Sequence, residues 1–155
     1  MKRQFSYIVA GITLILVISS NRAGAQDSSQ TIFWPTPQMA EIHQSVLGWA
    51  EAWTSQDIRS YFGFYGPDFQ TSSGKDRLTW ERERATRISK PRYIRIRINE
   101  LDIELLGEAD AVVHFQQVYK SNSYQEASKK ILRLRLYHNG WRIASEEVAT
   151  DDTWS

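Results

Sequence analysis

The sequence contains no cysteine among its 155 residues. This absence excludes disulfides, thiolate metal sites, cysteine nucleophiles and lipidation of an N-terminal cysteine. An excess of either charge is also missing, because 19 basic residues stand against 18 acidic ones. If a leader containing Lys2, Arg3 and Arg22 is removed, three of the 19 are lost, and 16 against 18 leaves a net charge near −2. The sequence therefore gives no electrostatic case for binding nucleic acid or an anionic membrane surface.

Apolar runs are short, and the longest lies near the N-terminus. The run Ile8–Ile18 covers 11 residues, follows the basic pair Lys2-Arg3 and precedes the small-residue site Ala23-Gly24-Ala25. A membrane anchor needs about 20 apolar residues, so the pattern favours a cleaved secretory signal over an anchor. We predict a signal peptide over 1–25, a polar linker over 26–38, one domain over 39–150 and a tail over 151–155. The mature protein is then expected to be periplasmic or secreted.

The N-terminal half of the domain has helical spacing. A stripe with intervals of three and four residues predicts a first helix from about Pro37 to Ser55; its members are Met39, Ile42, Val46, Trp49, Ala50 and Trp53. Asp57 is a plausible N-cap for a short second helix, followed by irregular chain that contains Tyr65 and Phe69.

A third helix is predicted over roughly Lys75 to Ser89. Ser73 and Asp76 have capping-box spacing before it, and Pro91 ends it. Its core side is predicted to carry Leu78, Ala85 and Ile88, with Trp80, Arg84 and Arg87 on another side.

After Pro91 the apolar period changes to two, which predicts strands. The apolar parity slips between Ile98 and Leu101, so a β-bulge is predicted near Asn99-Glu100. A second strand follows from about Ala111 to Tyr119, and the last two strands join at Asn139-Gly140, a strong hairpin signal. The predicted pairs are His138–Trp141, Leu136–Ile143, Leu134–Ser145 and Arg133–Glu146.

This hairpin register divides the side chains between two faces. The predicted core face carries Leu132, Leu134, Leu136, Trp141 and Ile143, and the other carries Ile131, Arg133, Arg135, Tyr137, Arg142, Ala144 and Glu146. Helices followed by four antiparallel strands predict an α+β domain in which a curved sheet wraps around the helices.

The order of these residues is similar to the nuclear transport factor 2-like (SnoaL-like) superfamily. More narrowly, the chain resembles the small exported domain at the C-terminal end of many bacterial L,D-transpeptidase and tetratricopeptide-repeat proteins. The resemblance rests on Trp49, Ala52 and Trp53, Asp57, Tyr61, Tyr65, Phe69, Trp80 with Arg84 and Arg87, Pro91, Phe115–Tyr119 and Trp141–Ile143, and it covers about Glu41 to Val148. The resemblance implies a cone-shaped fold with a pocket at the open end, in a family whose members are often dimeric through their sheet faces.

The pocket implied by the resemblance draws on Trp49, Trp53, Tyr61, Tyr65, Trp80, Gln117 and Tyr119. Aromatic stripes at helical spacing are more often core, which is the favoured interpretation for Trp49 and Trp53. The outer sheet face is more apolar than a solvated face needs, so a homodimer through it is expected; its candidate residues are Val112, His114, Gln116, Val118, Ile131 and Tyr137.

Candidate catalytic groups are few. Asp57, Asp68 and His114 are the possible bases, but a helix cap, a turn residue and a solvated histidine explain them better, and no catalytic dyad is predicted. His43, His114 and His138 lie in separate elements without metal-ligand spacing, so no metal site and no cofactor are predicted.

The arginines allow two interpretations. Arg82, Arg84 and Arg87, with Arg95, Arg97, Arg133 and Arg135 in the sheet, could bind the carboxylates of peptidoglycan peptides. The favoured interpretation is that Glu81, Glu83, Glu104 and Glu146 neutralise them.

Three functional hypotheses follow. The leading one is a non-catalytic exported domain for dimerisation, docking of an envelope or cell-wall partner, or binding of a small ligand. The alternative is a small pocket enzyme of the isomerase, dehydratase or cyclase type, with Asp57 or Asp68 as base and Tyr65 or Tyr119 as donor. A third is a cell-wall ligand binder that uses the arginines.

Overall fold

The computed structural model describes residues 36–72 and 74–150. The predicted signal peptide, the predicted tail, most of the predicted linker and Ser73, which was predicted to cap the third helix, lie outside these ranges. The elements are α1 (Pro37–Thr54), α2 (Ile58–Gly63), β1 (Tyr65–Gln70), α3 (Arg77–Ser89), β2 (Ile94–Leu105), β3 (Asp110–Ser121), β4 (Gln125–Tyr137) and β5 (Gly140–Val148). Within these ranges, none of the helices has the length and apolar character needed to cross a membrane.

The helices begin at side-chain caps. The Thr36 hydroxyl accepts from the Met39 amide at 3.2 Å and Pro37 opens α1, so the last two residues of the predicted linker are helical. Asp57 caps α2 by accepting from the Ser60 amide at 3.0 Å, as predicted. Asp76 caps α3 through the Thr79 amide at 3.0 Å. Such caps satisfy amide groups that have no partner within the helix.

The sheet has five strands in the order β1-β5-β4-β3-β2, which confirms the α+β class and corrects the predicted strand count. Strands β2 to β5 are antiparallel neighbours, and β1 pairs with β5 in parallel. Tyr65 and Phe69, predicted to lie in irregular chain, belong to β1. This edge position tolerates Pro67, because an edge strand can spare one amide donor.

The core fills the space between α1 and the inner face of the sheet. Ile42, Val46 and Trp49 of α1 are at most 1% exposed. They belong to one hydrophobic cluster with Val113, Phe115, Leu132, Leu134, Trp141 and Ile143 of the sheet. Burial of this apolar stripe against the sheet is the main force that holds α1 in the fold.

The hairpin register differs from the predicted one. Leu136 pairs with Trp141 and Leu134 with Ile143, so the turn is centred on His138 and Asn139. A type I′ turn at Asn139-Gly140 would need positive φ at both residues, but at this turn only Gly140 takes it, at φ +101°. Leu136, at the end of the strand, is 39% exposed and does not join the core.

Bulges in β2 and β5 interrupt the regular antiparallel pairing of the sheet. The predicted β2 bulge is confirmed: the pairing shifts between Asn99 and Asp102, and Glu100 has φ +53°. A second bulge lies in β5, where Leu134 pairs with Ile143 but Arg133 pairs with Ser145. Ala144 is therefore the extra residue, and the inward parity of β5 changes after it.

Candidate functional site

A cavity of about 420 Å³ opens between the helices and the inner face of the sheet. Aromatic side chains make much of its wall: Trp53, Phe69, Trp80, Tyr119 and Tyr124. The wall also contains charged and amide side chains, which are Arg84, Arg87, Gln117, Glu126, Lys130 and Glu146, and it is completed by Ser72, Ser128 and Val148. A volume of this size fits a small molecule.

The sequence-predicted pocket residues divide between this cavity and the core. Trp53, Trp80, Gln117 and Tyr119 line the cavity. Trp49, Tyr61 and Tyr65 are not among its lining residues and are at most 5% exposed. The favoured core interpretation thus fits Trp49, whereas Trp53 serves both the core and the cavity wall.

Glu146 is the most confined charge in the cavity wall. Its side chain is 5% exposed, its Oε1 lies 2.8 Å from Lys130 Nζ, and its Oε2 lies 3.5 Å from Arg84 Nη2. Burial alone would raise the pKa of this carboxyl, but the charges of Arg84 and Lys130, with hydrogen bonds from Lys130 and Tyr65, lower its pKa to about 2. Glu146 is therefore ionised at every physiological pH.

The β5 bulge places Glu146 in the cavity. Trp141 and Ile143 face inward with alternating parity. If Ala144 paired regularly with Arg133, the next inward side chain would be Ser145 and not Glu146. The sequence-based prediction put Glu146 on the outer face opposite Arg133, which is wrong. The turn shifts the register by two residues, which keeps the face, and the bulge shifts it by one, which turns Glu146 inward opposite Leu132. No sequence signal marked this bulge.

Lys130 reaches the same place from β4. It pairs with Val148, while Leu132 pairs with Glu146, so Lys130 and Glu146 are diagonal neighbours on one face. Lys130 lies two residues before Leu132 and four before Leu134, so it has the same side-chain direction as these inward residues. The alternation along β4 therefore identifies Lys130 as an inward lysine from the sequence.

A chain of hydroxyl groups supports the carboxylate from behind. Tyr65 Oη donates to Glu146 Oε2 at 2.9 Å, and it accepts from Trp49 Nε1 at 3.0 Å. Because the only proton of Tyr65 goes to Glu146, Tyr61 must be the donor in the 2.7 Å contact between the two tyrosines. Burial, together with the charge of Glu146, raises the pKa of both phenols, so they remain neutral donors.

Arg84 lies between two tryptophans. Its guanidinium carbon is 5.6 Å from the ring centre of Trp53 and 5.3 Å from that of Trp80, within cation–π range. Although burial opposes the charge, Glu146 and the two tyrosines raise the pKa of Arg84. The predicted orientation of α3 is corrected: Trp80 is 8% exposed and faces inward, whereas Leu78 is 63% exposed.

Gln117 contributes the amide of the cavity wall. The residue is 4% exposed, and within the described residues its Oε1 has no hydrogen-bond partner although the atom is buried. A buried acceptor without a partner lowers the free energy of unfolding. Gln117 therefore destabilises the fold, and the need for a stable core does not explain its presence.

The comparisons with known proteins fit this geometry. A family model, the Cds6 C-terminal NTF2-like domain, matches residues 41–147. The chain belongs to this family. The resemblance seen in the sequence is thereby confirmed, while a search of curated proteins found no match.

Solved structures share the fold of this NTF2-like domain. Bd1075 of Bdellovibrio bacteriovorus is 24% identical with a TM-score of 0.64, and the match covers 71% of this chain and 39% of Bd1075. The helical cell shape determining protein Pgp2 of Campylobacter jejuni (K307A mutant) is 22% identical with a TM-score of 0.65, over 71% of this chain and 40% of Pgp2. The chain thus spans about two fifths of the length of these two proteins.

A more complete match comes from an NTF2-like candidate dehydratase of Streptomyces avermitilis. It is 15% identical with a TM-score of 0.61, and the match covers 73% of this chain and 96% of that protein. Identity at this level shows the fold and does not transfer an activity.

The bases proposed from the sequence do not line the cavity of the NTF2-like domain. Asp57 caps α2 and is exposed. Asp68 is exposed, bonds Tyr137, and pairs with Arg135 at 2.8 Å. His114 lies on β3 opposite Ile131. Of the proposed donors, Tyr119 lines the cavity and Tyr65 is bonded to Glu146.

Metal ligation has no geometric support in the described part of the chain. Within 36–72 and 74–150, no group of three or more histidine or acidic side chains is arranged to hold a metal ion. His43, His114 and His138 lie in α1, β3 and the hairpin turn, respectively.

The arginines are partly neutralised, through pairs that differ from the predicted ones in several cases. Glu146 pairs with Arg84 and not with Arg133, the residue predicted to lie opposite it. Glu81 pairs with Arg77 at 2.8 Å and Glu83 with Lys75 at 2.7 Å. Arg84 and Arg87 line the cavity, so they do not form one continuous patch with the outer-face arginines.

The proposed dimer face is present as a strip along β3 and β4. Val112 is buried, and the other candidates, His114, Gln116, Val118, Ile131 and Tyr137, are partly buried. Tyr137 bonds Asp68 of β1, so it braces the sheet edge in addition to lining this face. Dimerisation stays a prediction.

Proposed function

We propose that this NTF2-like domain is an exported, non-catalytic binding module that holds a small ligand in its cavity and works in the cell envelope, as an accessory to cell-wall enzymes. The observation that carries the proposal is the state of Glu146. A general base works best when its pKa lies near the working pH. A carboxylate with a pKa of about 2, paired with Arg84 and Lys130, is suited to hold charges in place and poorly suited to accept a proton.

The envelope location draws support from two sources. The N-terminal pattern of basic residues, apolar run and small-residue site is typical of a secretory signal. Pgp2, which shares the fold, is a cell shape determining protein. The alternative is a pocket enzyme with Asp57 or Asp68 as base. Neither base lines the cavity, so this alternative is supported only by the donor Tyr119, which does, and by the fold shared with the candidate dehydratase.

The test uses protein 26–155 and a fragment panel of acids, amines and neutral amides, read by thermal shift. The proposal predicts that at least one fragment stabilises the protein and is recovered unchanged by mass spectrometry. Ser128→Phe should fill the cavity and abolish the shift, because Ser128 lines it. Ser123→Phe, at an exposed position that is not among the cavity-lining residues, should not. Conversion of a bound fragment to a product would contradict the non-catalytic role.

Export is tested separately. Residues 1–38 are fused to a reporter enzyme that is active only outside the cytoplasm. Activity is expected, with a shorter mature product than the primary translation product. An inactive fusion retained in the cytoplasm would contradict export and leave the binding role intact.

A further inference from the structure

The buried charges of the cavity wall do not balance. Arg84, Lys130 and Glu146 have side-chain exposures of 16%, 10% and 5%, so two cations share one carboxylate. The other charged lining residues, Arg87 and Glu126, are exposed and of opposite sign. Among the described residues that line the cavity, one positive charge in the buried set therefore has no counterpart. Buried charges are costly unless they are paired.

We propose that the ligand carries one carboxylate group, which lies against Arg84 and Lys130 and completes a set of two cations and two anions. This inference rests on the proposed binding function and names the chemical class of the ligand. A monoanion fits because the excess in the buried set is a single charge.

The geometry of Arg84 suits this role. Glu146 contacts its Nη2 at 3.5 Å, which is longer than the 2.8 Å contact between Lys130 and Glu146. The guanidinium has five N–H donors in one plane and binds carboxylates in pairs of hydrogen bonds. Trp53 and Trp80 hold that plane in place, so little conformational entropy remains to be lost when a ligand carboxylate binds.

The remaining wall selects the body of the ligand. Phe69, Tyr119 and Tyr124 line the cavity with the two tryptophans. Aromatic walls favour an apolar or planar group attached to the carboxylate. The expected ligand is therefore a small monocarboxylate with an apolar body.

The test compares ligands of the same shape and different charge. Protein 26–155 is titrated calorimetrically with benzoate and benzamide, and with hexanoate and hexanamide to cover an aliphatic body. In at least one pair the acid should bind about tenfold or more tighter than the amide, because a charge-assisted bond replaces a neutral one.

Charge variants of the cavity make the test specific. Lys130→Met leaves Arg84 and Glu146 as a balanced pair, so the preference for the acid should fall to about threefold or less. Glu146→Gln leaves two cations and should increase the preference above that of the wild type. Lys120→Met removes an exposed lysine that is not among the cavity-lining residues and should leave the preference unchanged. Circular dichroism checks that each variant is folded.

The outcomes separate the inference from the proposed function. If acids and amides bind the wild type equally, or the amides bind tighter, the carboxylate inference is overturned and the binding module stands. If none of the four compounds binds and the fragment panel also gives no shift, both are overturned. The wild-type comparison decides the inference even if Glu146→Gln fails to fold.

Discussion

Replacing Glu146 with glutamine tests the central claim about the site. The substitution keeps the shape of the side chain but removes the negative charge that Arg84 and Lys130 share. It also replaces one acceptor oxygen by an NH₂ group. This group cannot accept a hydrogen bond from the donors around the carboxylate, which are Lys130, Tyr65 and Arg84. Arg84 and Lys130 would then have no buried carboxylate beside them among the described residues of the cavity wall.

The expected loss can be worked out from the structure. The pKa of Glu146 falls from 4.5 to about 2 on folding, which corresponds to about 3 kcal/mol of stability at neutral pH. Removing one member of a buried ion pair usually costs about 3–5 kcal/mol. We therefore expect the free energy of unfolding of Glu146→Gln to lie about 3–4 kcal/mol below that of the wild type.

The pH dependence provides the sharper test. Because the pKa of Glu146 is lower in the folded state than in the unfolded state, its contribution is present above about pH 5 and is lost as the pH falls toward 2. The difference in stability between wild type and Glu146→Gln should therefore shrink over this acidic range.

Urea unfolding followed by tryptophan fluorescence, at a series of pH values, measures this difference. Glu147→Gln is the matched control, since Glu147 is the next residue and is exposed; its effect should stay within about 0.5 kcal/mol. A difference for Glu146→Gln below about 1 kcal/mol at neutral pH, or one that is constant down to acidic pH, would refute the reasoning.

Two further predictions concern the amide of the cavity and the outer sheet face. Gln117→Met removes a buried acceptor that has no partner among the described residues. Thermal unfolding should therefore show that the free energy of unfolding rises by about 1 kcal/mol, and calorimetry should show weaker binding of any ligand that forms a hydrogen bond with this amide. A decrease in the free energy of unfolding would contradict the first expectation. For the outer face, light scattering should give the mass of a dimer for the wild type and the mass of a monomer for the folded double variant His114→Glu/Ile131→Glu. The reason is that a dimer would bury this strip of both copies, and the added charges would oppose that burial. A monomeric wild type would exclude the dimer.

The sequence predicted the parts of the fold that depend on local periodicity. The stripe from Ile42 to Trp53 predicted α1, the Asp57 cap predicted α2, and the parity slip at Asn99-Glu100 predicted the β2 bulge. The fifth strand was missed because Gly66-Pro67 is typical of a turn. Tyr65–Gln70 is a strand because it pairs with the edge of β5, which is distant in the sequence.

The candidate site was predicted only in part, for a related reason. Trp53, Trp80, Gln117 and Tyr119 were named from the resemblance, but the charges that define the chemistry were not placed. Glu146 enters the cavity through a bulge at two small residues, Ala144 and Ser145, which carry no apolar parity to reveal the slip. The pairing of Glu146 with Lys130 depends on register between strands, which local patterns do not contain.

The extra residue in β5 has a consequence for how such domains diverge. Deleting Ala144 would restore regular alternation with Ser145 still opposite Arg133 and Glu146 still opposite Leu132, so the acidic side chain would stay in the cavity. Regular pairing of Ala144 with Arg133 would instead turn Ser145 inward and Glu146 outward. A related domain with one residue fewer at this position therefore keeps an inward carboxylate, whereas a domain of the same length with a regular strand presents the preceding residue instead. Alignments of related domains that place gaps without regard to this position would match inward residues with outward ones, and would hide which members share the site.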